Sequence, residues 1–291
     1  MRARAPASSA NLGPGFDALA IALNLYVEVE VEPAGSLSVH SEGEGAGAFA
    51  DDEHLAVRVV RSVLGHDRVA VRVRSHIPVA RGLGSSAALA AAAAAAAGSD
   101  DPFAVACAVD GHPENAAASC MGGLVAAGMV DGSPVGEPLP LAPDLAFVVV
   151  VPDRTLATAE ARAVLPEHVA RADAAFNLGR MGLLVAGLAD PSRLRPEATE
   201  DRIHQGPRTA LFPEAPLLLQ ALVDSGALAS CWSGAGPSLL GIVAERDAAK
   251  VREGARTALA DYAVEGTVHV LHADRAGLVL GDAAALSERA P

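Results

Sequence analysis

Two short stretches of this 291-residue chain carry residue types that could do chemistry. Gly111-His-Pro-Glu-Asn115 places a histidine, a carboxylate and an amide within four residues, a candidate site that reads equally well as a polar turn. Pro78-Val-Ala-Arg-Gly-Leu-Gly-Ser-Ser86 runs directly into the alanine stretch Ala87 to Ala97. Gly82 and Gly84 let the backbone take up positive φ and approach a ligand. Ser85 or Ser86 caps a helix start whose free N–H groups attract anions, so the stretch reads as a phosphate cradle, with plain helix capping as the alternative. Lys250 is the only lysine and lies far from any glycine loop, which excludes a P-loop with its phosphate-binding lysine. Gly82-x-Gly84 without a third glycine also fails the dinucleotide fingerprint. A phosphate bound here must therefore rely on backbone amides, hydroxyls, a metal ion and arginine. Arg81 is in the loop, either for that purpose or as a solvated surface charge.

Other stretches supply polar groups. Ala5 to Asp17 is small, polar and glycine-rich where a strand would be ordinary, so it reads as a tail or as a loop built to meet a ligand. Its Asn11 and Asp17 suit an ammonium or hydroxyl group, or else an Asx turn and a helix cap. Thr155 to Arg162 offers threonines and an arginine, and Asp201 to Arg208 is a charged loop. Ser233-Gly-Ala-Gly-Pro-Ser238 is a second tight glycine turn. His54 is a cap-region residue or a contact to a base or ribose.

The elements that must position these groups follow from periodicity. Leu25 to Glu32 alternates with Val27, Val29 and Val31 inward and solvated glutamates outward, and Val69 to Arg74 is a half-buried strand. Leu55 to Leu64 is an amphipathic helix introduced by Asp51 to His54, and Ala87 to Ala97 and Pro102 to Val109 are helices. Leu124 to Met129 is a strand, and the four prolines of Pro134 to Pro143 mark a domain boundary. Strands at Leu145 to Val151, Leu228 to Trp232, Leu239 to Ala244 and Thr267 to Ala273 follow, with helices at Val169 to Leu188, Pro216 to Ser225 and Asp247 to Leu259. That order suggests a ferredoxin-like α/β sandwich in the second half. Trp232 and Leu211 to Leu222 could serve an interface, with core packing the plainer use.

A net charge of −13 and the absence of basic runs argue against nucleic acid as a partner. No apolar run is long enough to span a membrane, and the N-terminus lacks a secretory core. Cys107, Cys120 and Cys231 form no CxxC and read as reduced thiols of a cytoplasmic protein.

Taken together, Pro6 to Asp17, Pro78 to Ala88 and Ser233 to Ser238 resemble, in order and spelling, the three motifs of the GHMP kinase superfamily. The resemblance covers nearly the whole chain. Ala7 to Asp17, Gly111-His-Pro-Glu-Asn115, Thr158-Ala-Glu-Ala-Arg162 and Asp201-Arg-Ile-His-Gln-x-x-Arg208 are most similar to the homoserine kinase family within it. It implies an α/β (α+β) two-domain GHMP kinase fold. A ribosomal-protein-S5-like ATP-binding domain would span 1–143 and the ferredoxin-like domain 144–291. It implies transfer of the ATP γ-phosphoryl group to the hydroxyl of L-homoserine, in threonine biosynthesis, with Mg²⁺.

The resemblance also assigns residues. Pro78, Val79, Ala80, Arg81, Gly82, Leu83, Gly84, Ser85, Ser86 and Ala87 would wrap ATP, with His54 near the adenine and Ser86 near Mg²⁺. Asn11, Asp17 and His112 would hold the amino and hydroxyl end of homoserine, and Arg162 and Arg208 its carboxylate. Thr158 and Asn115 would sit by the transferring phosphate, while Ser233 and Gly234 would shape the substrate side. Asn115 stands where some superfamily members carry an aspartate base, which implies a hydroxyl activated by alignment. The usual magnesium-binding glutamate two turns before His112 is here Ala104, with Asp101, Asp110 and Glu114 as carboxylates that could compensate. His54 occupies the place of a common asparagine. Related kinases are often dimers, so a homodimer is expected. The alternatives are another small-molecule kinase of the superfamily and a catalytically weakened metabolite-binding homologue, which Ala104 would favour.

Overall fold

The computed structural model describes residues 1–47 and 52–281. Asp51 of the expected helix lead-in and residues 282–291 of the second half lie outside them.

The chain begins with a correction. Arg2–Ala10 is not a tail or loop but a strand, β1, buried along nearly its whole length. Its alanines and serines suit a central strand because their small side chains let a helix lie close above them, and the loop proper starts only at Asn11. Strand β2 (Leu19–Pro33) starts six residues earlier than its alternation suggested. Val27, Val29 and Val31 are buried as expected, while the outward glutamates are ion-paired: Glu28 with Arg2, and Glu30 and Glu32 with Arg72. Polar β3 (Ser38–Gly43) was not foreseen.

Helix α1 (Leu55–Leu64), strand β4 (Val69–Ser75), and helices α2 (Ser85–Ala96) and α3 (Pro102–Asp110) fall where periodicity put them. Helix α4 (Pro113–Met121) begins inside the His112 knot. Alanines 87 to 96 of α2 are at most 2% exposed, since a helix surfaced with methyl groups admits neighbours on every side. After β5 (Leu124–Val130), the proline stretch begins as a strand that was not foreseen, β6 (Ser133–Leu139). It pairs only with β5, and an edge position tolerates residues without an N–H.

The second half runs β7 (Leu145–Pro152), α5 (Thr158–Ala163), α6 (Arg171–Ala189), α7 (Gln205–Arg208), α8 (Ala215–Asp224), β8 (Ala229–Trp232), β9 (Leu239–Ala244), α9 (Ala248–Asp261) and β10 (Gly266–Leu271). Short β11 (Val279–Leu280) then pairs antiparallel with β1. The segment read as a charged loop is therefore part helix: Asp201 accepts hydrogen bonds from the backbone N–H groups of Ile203, His204 and Gln205, and so starts α7.

The second sheet has the order β10-β7-β9-β8, all antiparallel, with α8 and α9 on one face, the ferredoxin-like arrangement expected. The first follows β11-β1-β2-β4-β3, with β5 and β6 beside β2. One apolar cluster joins the halves, bringing Phe147, Val149 and Leu240 of the second sheet together with the α2 alanines and β1. Trp232 takes the plainer of its two uses, core packing: it is 1% exposed and meets Phe212 edge-on. Leu218 and Leu222 of α8 are core residues. No helix among the described residues is long and apolar enough to cross a membrane.

Candidate active site

A cleft of about 270 Å³ opens where the loop after β1, the loop before α2, the His112 knot, α5, α7 and the Ser233 turn converge. Its floor is the loop before α2. Gly84 (φ +65°) is the N-cap, which corrects the expectation that Ser85 or Ser86 caps the helix. No side chain bonds the first turn, so its N–H groups face the cleft with Ser85 and Ser86. The loop is pinned from two sides. The Ser8 N–H donates to Leu83 O (3.1 Å), and the Ser233 hydroxyl donates to Gly82 O (2.7 Å). A Cβ on Gly82 would sit 2.2 Å from Ser233 O, and one on Gly84 2.0 Å from Ser8 Oγ, so both positions need glycine. Asn11, Leu12, Asp17 and Ala80 also hold positive φ, and all lie in the two loops that meet at this cleft. Backbone strain of this kind concentrates at functional sites.

Opposite the loop stands a charged clamp. Arg162 donates to both oxygens of Asp17, at 2.5 and 3.1 Å. Arg208 is 1% exposed and reaches the cleft through neutral acceptors: Nε donates to Ala161 O (3.3 Å), and Nη1 to Gly234 O (3.0 Å) and His204 Nδ1 (2.8 Å). Burial and the neighbouring Arg162 cation push its pKa down to about 10, so it stays charged at neutral pH. Phe16 lies under both guanidiniums, at 5.4 and 5.8 Å from its centroid, and stacks on His204 at 5.2 Å. Neither Phe16 nor His204 was singled out from sequence, although both lie inside motifs that were.

Most of the residues expected at the site line this cleft: Asn11, Asp17, His112, Asn115, Thr158, Arg162, Arg208, Gly234, and Val79, Ala80 and Gly82 to Ser86. The amide of Asn11 is committed within the loop, Nδ2 to Gly234 O and Oδ1 from the Asp17 N–H. Ser233 is buried behind the cleft and steadies the loop from there. Four expected residues stand apart. Arg81 turns its guanidinium away to the backbone carbonyls of Pro152, Asp153 and Val79, so it ties the loop to β7 and does not face the cleft. Pro78 does not line the cleft, and Ala87 is fully buried in the core. His54 is the N-cap of α1, as its cap-region reading had it, but a buried one. It is 8% exposed, accepts the Ala56 N–H at Nδ1, and lines a side cavity of about 110 Å³ that shares Val79, Ser85 and Ser86 with the cleft.

Residues 54–123 match the family model described as GHMP kinases N terminal domain, and residues 178–261 match that described as GHMP kinases C terminal. A homoserine kinase of Desulfitobacterium hafniense is 35% identical over 95% of this chain and 98% of its own length. The chain belongs to the homoserine kinase family of the GHMP kinases. A homoserine kinase of Mycolicibacterium smegmatis is 44% identical over 82% of this chain and 83% of its own. Among solved structures, a homoserine kinase from Cytophaga hutchinsonii superposes with a TM-score of 0.84 at 26% identity, covering 96% of both chains.

Ala104 sits in the first turn of α3, its N–H bonded to Asp101, and does not line the cleft. The carboxylates that do line it, besides Asp17, are Asp110 and Glu114. Burial raises both, Glu114 to about 7, and Glu114 Oε2 is buried without a hydrogen-bond partner among the described residues. An unpartnered carboxylate oxygen in the same cleft as Asp110, Ser85 and Ser86 offers oxygen donors of the kind a hard cation prefers. No group of three His, Cys, Asp or Glu side chains that could hold a metal occurs among the described residues, so phosphate oxygens would have to complete the shell.

Proposed function

We propose that the protein transfers the γ-phosphoryl group of ATP to the side-chain hydroxyl of L-homoserine, releasing ADP and O-phospho-L-homoserine. The observation that carries this reading is the meeting, in one cleft, of a backbone-lined anion loop and a clamp bearing both signs of charge. An alcohol that is also a zwitterion fits that pair.

The amides at the start of α2 would hold the β- and γ-phosphates, with the adenine entering the side cavity between Leu55, Val73 and Leu89 beside His54. Arg208, without a carboxylate partner among the described residues, would take the substrate carboxylate together with Arg162. Asp17 would then turn to the ammonium group, helped by His112. Asp110, Glu114 and Ser86 would hold Mg²⁺, which when bound neutralises charge on the phosphates. Asn115 is an amide whose Oδ1 already accepts the Ser8 hydroxyl, so no strong base stands there. The substrate oxygen attacks phosphorus as the bond to the β-phosphate oxygen breaks, and the hydroxyl proton passes to a phosphoryl oxygen. Alignment and charge neutralisation supply the rate. Incubation with ATP, Mg²⁺ and L-homoserine, mevalonate or galactose should release ADP with homoserine alone, and turnover of another alcohol in its place would refute the assignment.

A further inference from the structure

The buried guanidinium of Arg208 makes no ion pair among the described residues, and the three acceptors that hold it are all uncharged: two carbonyls and the Nδ1 of His204. His204 is fully buried, and its Nε2 lies 2.8 Å from Gly13 O. Because a carbonyl can only accept, Nε2 carries the proton and Nδ1 offers its lone pair to Arg208. Only the neutral ring can do both. Burial favours that form, holding the pKa down to about 4 against the opposing pull of Asp201 and Asp17. Both carboxylates are otherwise engaged, Asp17 by Arg162 and Asp201 by the start of α7 and by Asn177.

We propose that His204 is a positioning residue that aims Arg208 into the cleft without neutralising it. The inference rests on the reading that Arg208 receives the substrate carboxylate. An aspartate or glutamate in this place would orient the guanidinium equally well, yet would quench the charge the ligand needs. A neutral acceptor leaves that charge for the incoming carboxylate. Through Gly13 O the same ring fixes the loop that carries Asp17, so both ends of the clamp are held in register.

Three substitutions separate orientation from charge. His204→Asn keeps a neutral acceptor near the Nδ1 position, His204→Asp is its charged isostere, and His204→Gln keeps the donor toward Gly13 O but loses the acceptor. Homoserine-dependent ADP release by the unmodified protein tests the underlying reading, and the variants test His204. The expected result is a homoserine KM within about threefold of the parent for Asn and at least about tenfold higher for Asp, with kcat and the ATP KM little changed. Equal homoserine KM values for Asn and Asp would overturn the proposal. If the aspartate variant does not fold, Asn against Gln decides: Gln should lie about tenfold above Asn, and equality again overturns it.

Discussion

Replacing Gly82 with alanine tests how the phosphate loop is held. Gly82 has φ +73°, and Gly65, at the end of α1, has φ +72°. An alanine Cβ at Gly65 meets nothing within 4 Å, whereas at Gly82 it would lie 2.2 Å from Ser233 O and 2.8 Å from Gly236 N. The two substitutions therefore share the conformational penalty of a left-handed alanine, about 1 kcal/mol, and differ in the collision. The atoms struck are backbone, so the loop must lift from the Ser233 turn. That lift strains packing by about 1–3 kcal/mol. It also breaks the Ser233 hydroxyl bond to Gly82 O, worth about 1 kcal/mol more. Gly65→Ala should cost about 1 kcal/mol and Gly82→Ala about 3–5 kcal/mol, read as the shift in urea midpoint at constant slope. The ATP KM should rise for Gly82→Ala alone. A Gly82→Ala protein no less stable than Gly65→Ala, with unchanged ATP KM, would refute the claim that close backbone approach dictates glycine there.

Three further outcomes follow from the same geometry. The folded pKa of His204, about 4, lies below the value of about 6.5 for a free imidazole, so the unfolded chain binds the proton first. Its stabilising contribution is complete above about pH 6.5 and is lost as pH falls toward 4, by roughly 3 kcal/mol, and denaturation of the His204→Asn variant should show a correspondingly shallower acid limb. Arg208→Lys removes the planar fork and should raise the homoserine KM at least about tenfold while leaving the ATP KM within about twofold; an effect on ATP instead would place Arg208 outside the carboxylate site. Glu114→Gln should shift the Mg²⁺ dependence of ADP release to about tenfold higher concentration, and superimposable magnesium titrations for variant and parent would remove Glu114 from the metal.

Much was legible in the chain, for local reasons. Val27, Val29 and Val31 alternate because one face of β2 is buried, and the alanine run can hardly be other than helix. Gly82 and Gly84 announce a loop that needs positive φ. The four strands and two covering helices of the second sheet were likewise readable from period and length. What failed in the reading depends on neighbours. Ala3 to Ala10 carry no strand signal of their own, and become a strand because β2, β11 and α2 enclose them. The prolines of β6 gave no strand signal because edge pairing leaves no mark in sequence.

The site divides in the same way. Residue type and order alone determined that this chain carries a lysine-free anion loop, a His112 knot and two arginines in separate motifs, because glycine tolerance, capping and charge are properties of single residues and their immediate neighbours. Folding decided that Arg81 points away while Arg208 points in, and that Asp17 and Arg162, 145 positions apart, meet as an ion pair. It also brought Asp110 and Glu114 to the cleft in place of Ala104, and made His204 a neutral acceptor. Direction, burial and the partner across the cleft are set by segments distant in sequence, and a carboxylate or imidazole acquires its charge state only from the surroundings those segments build.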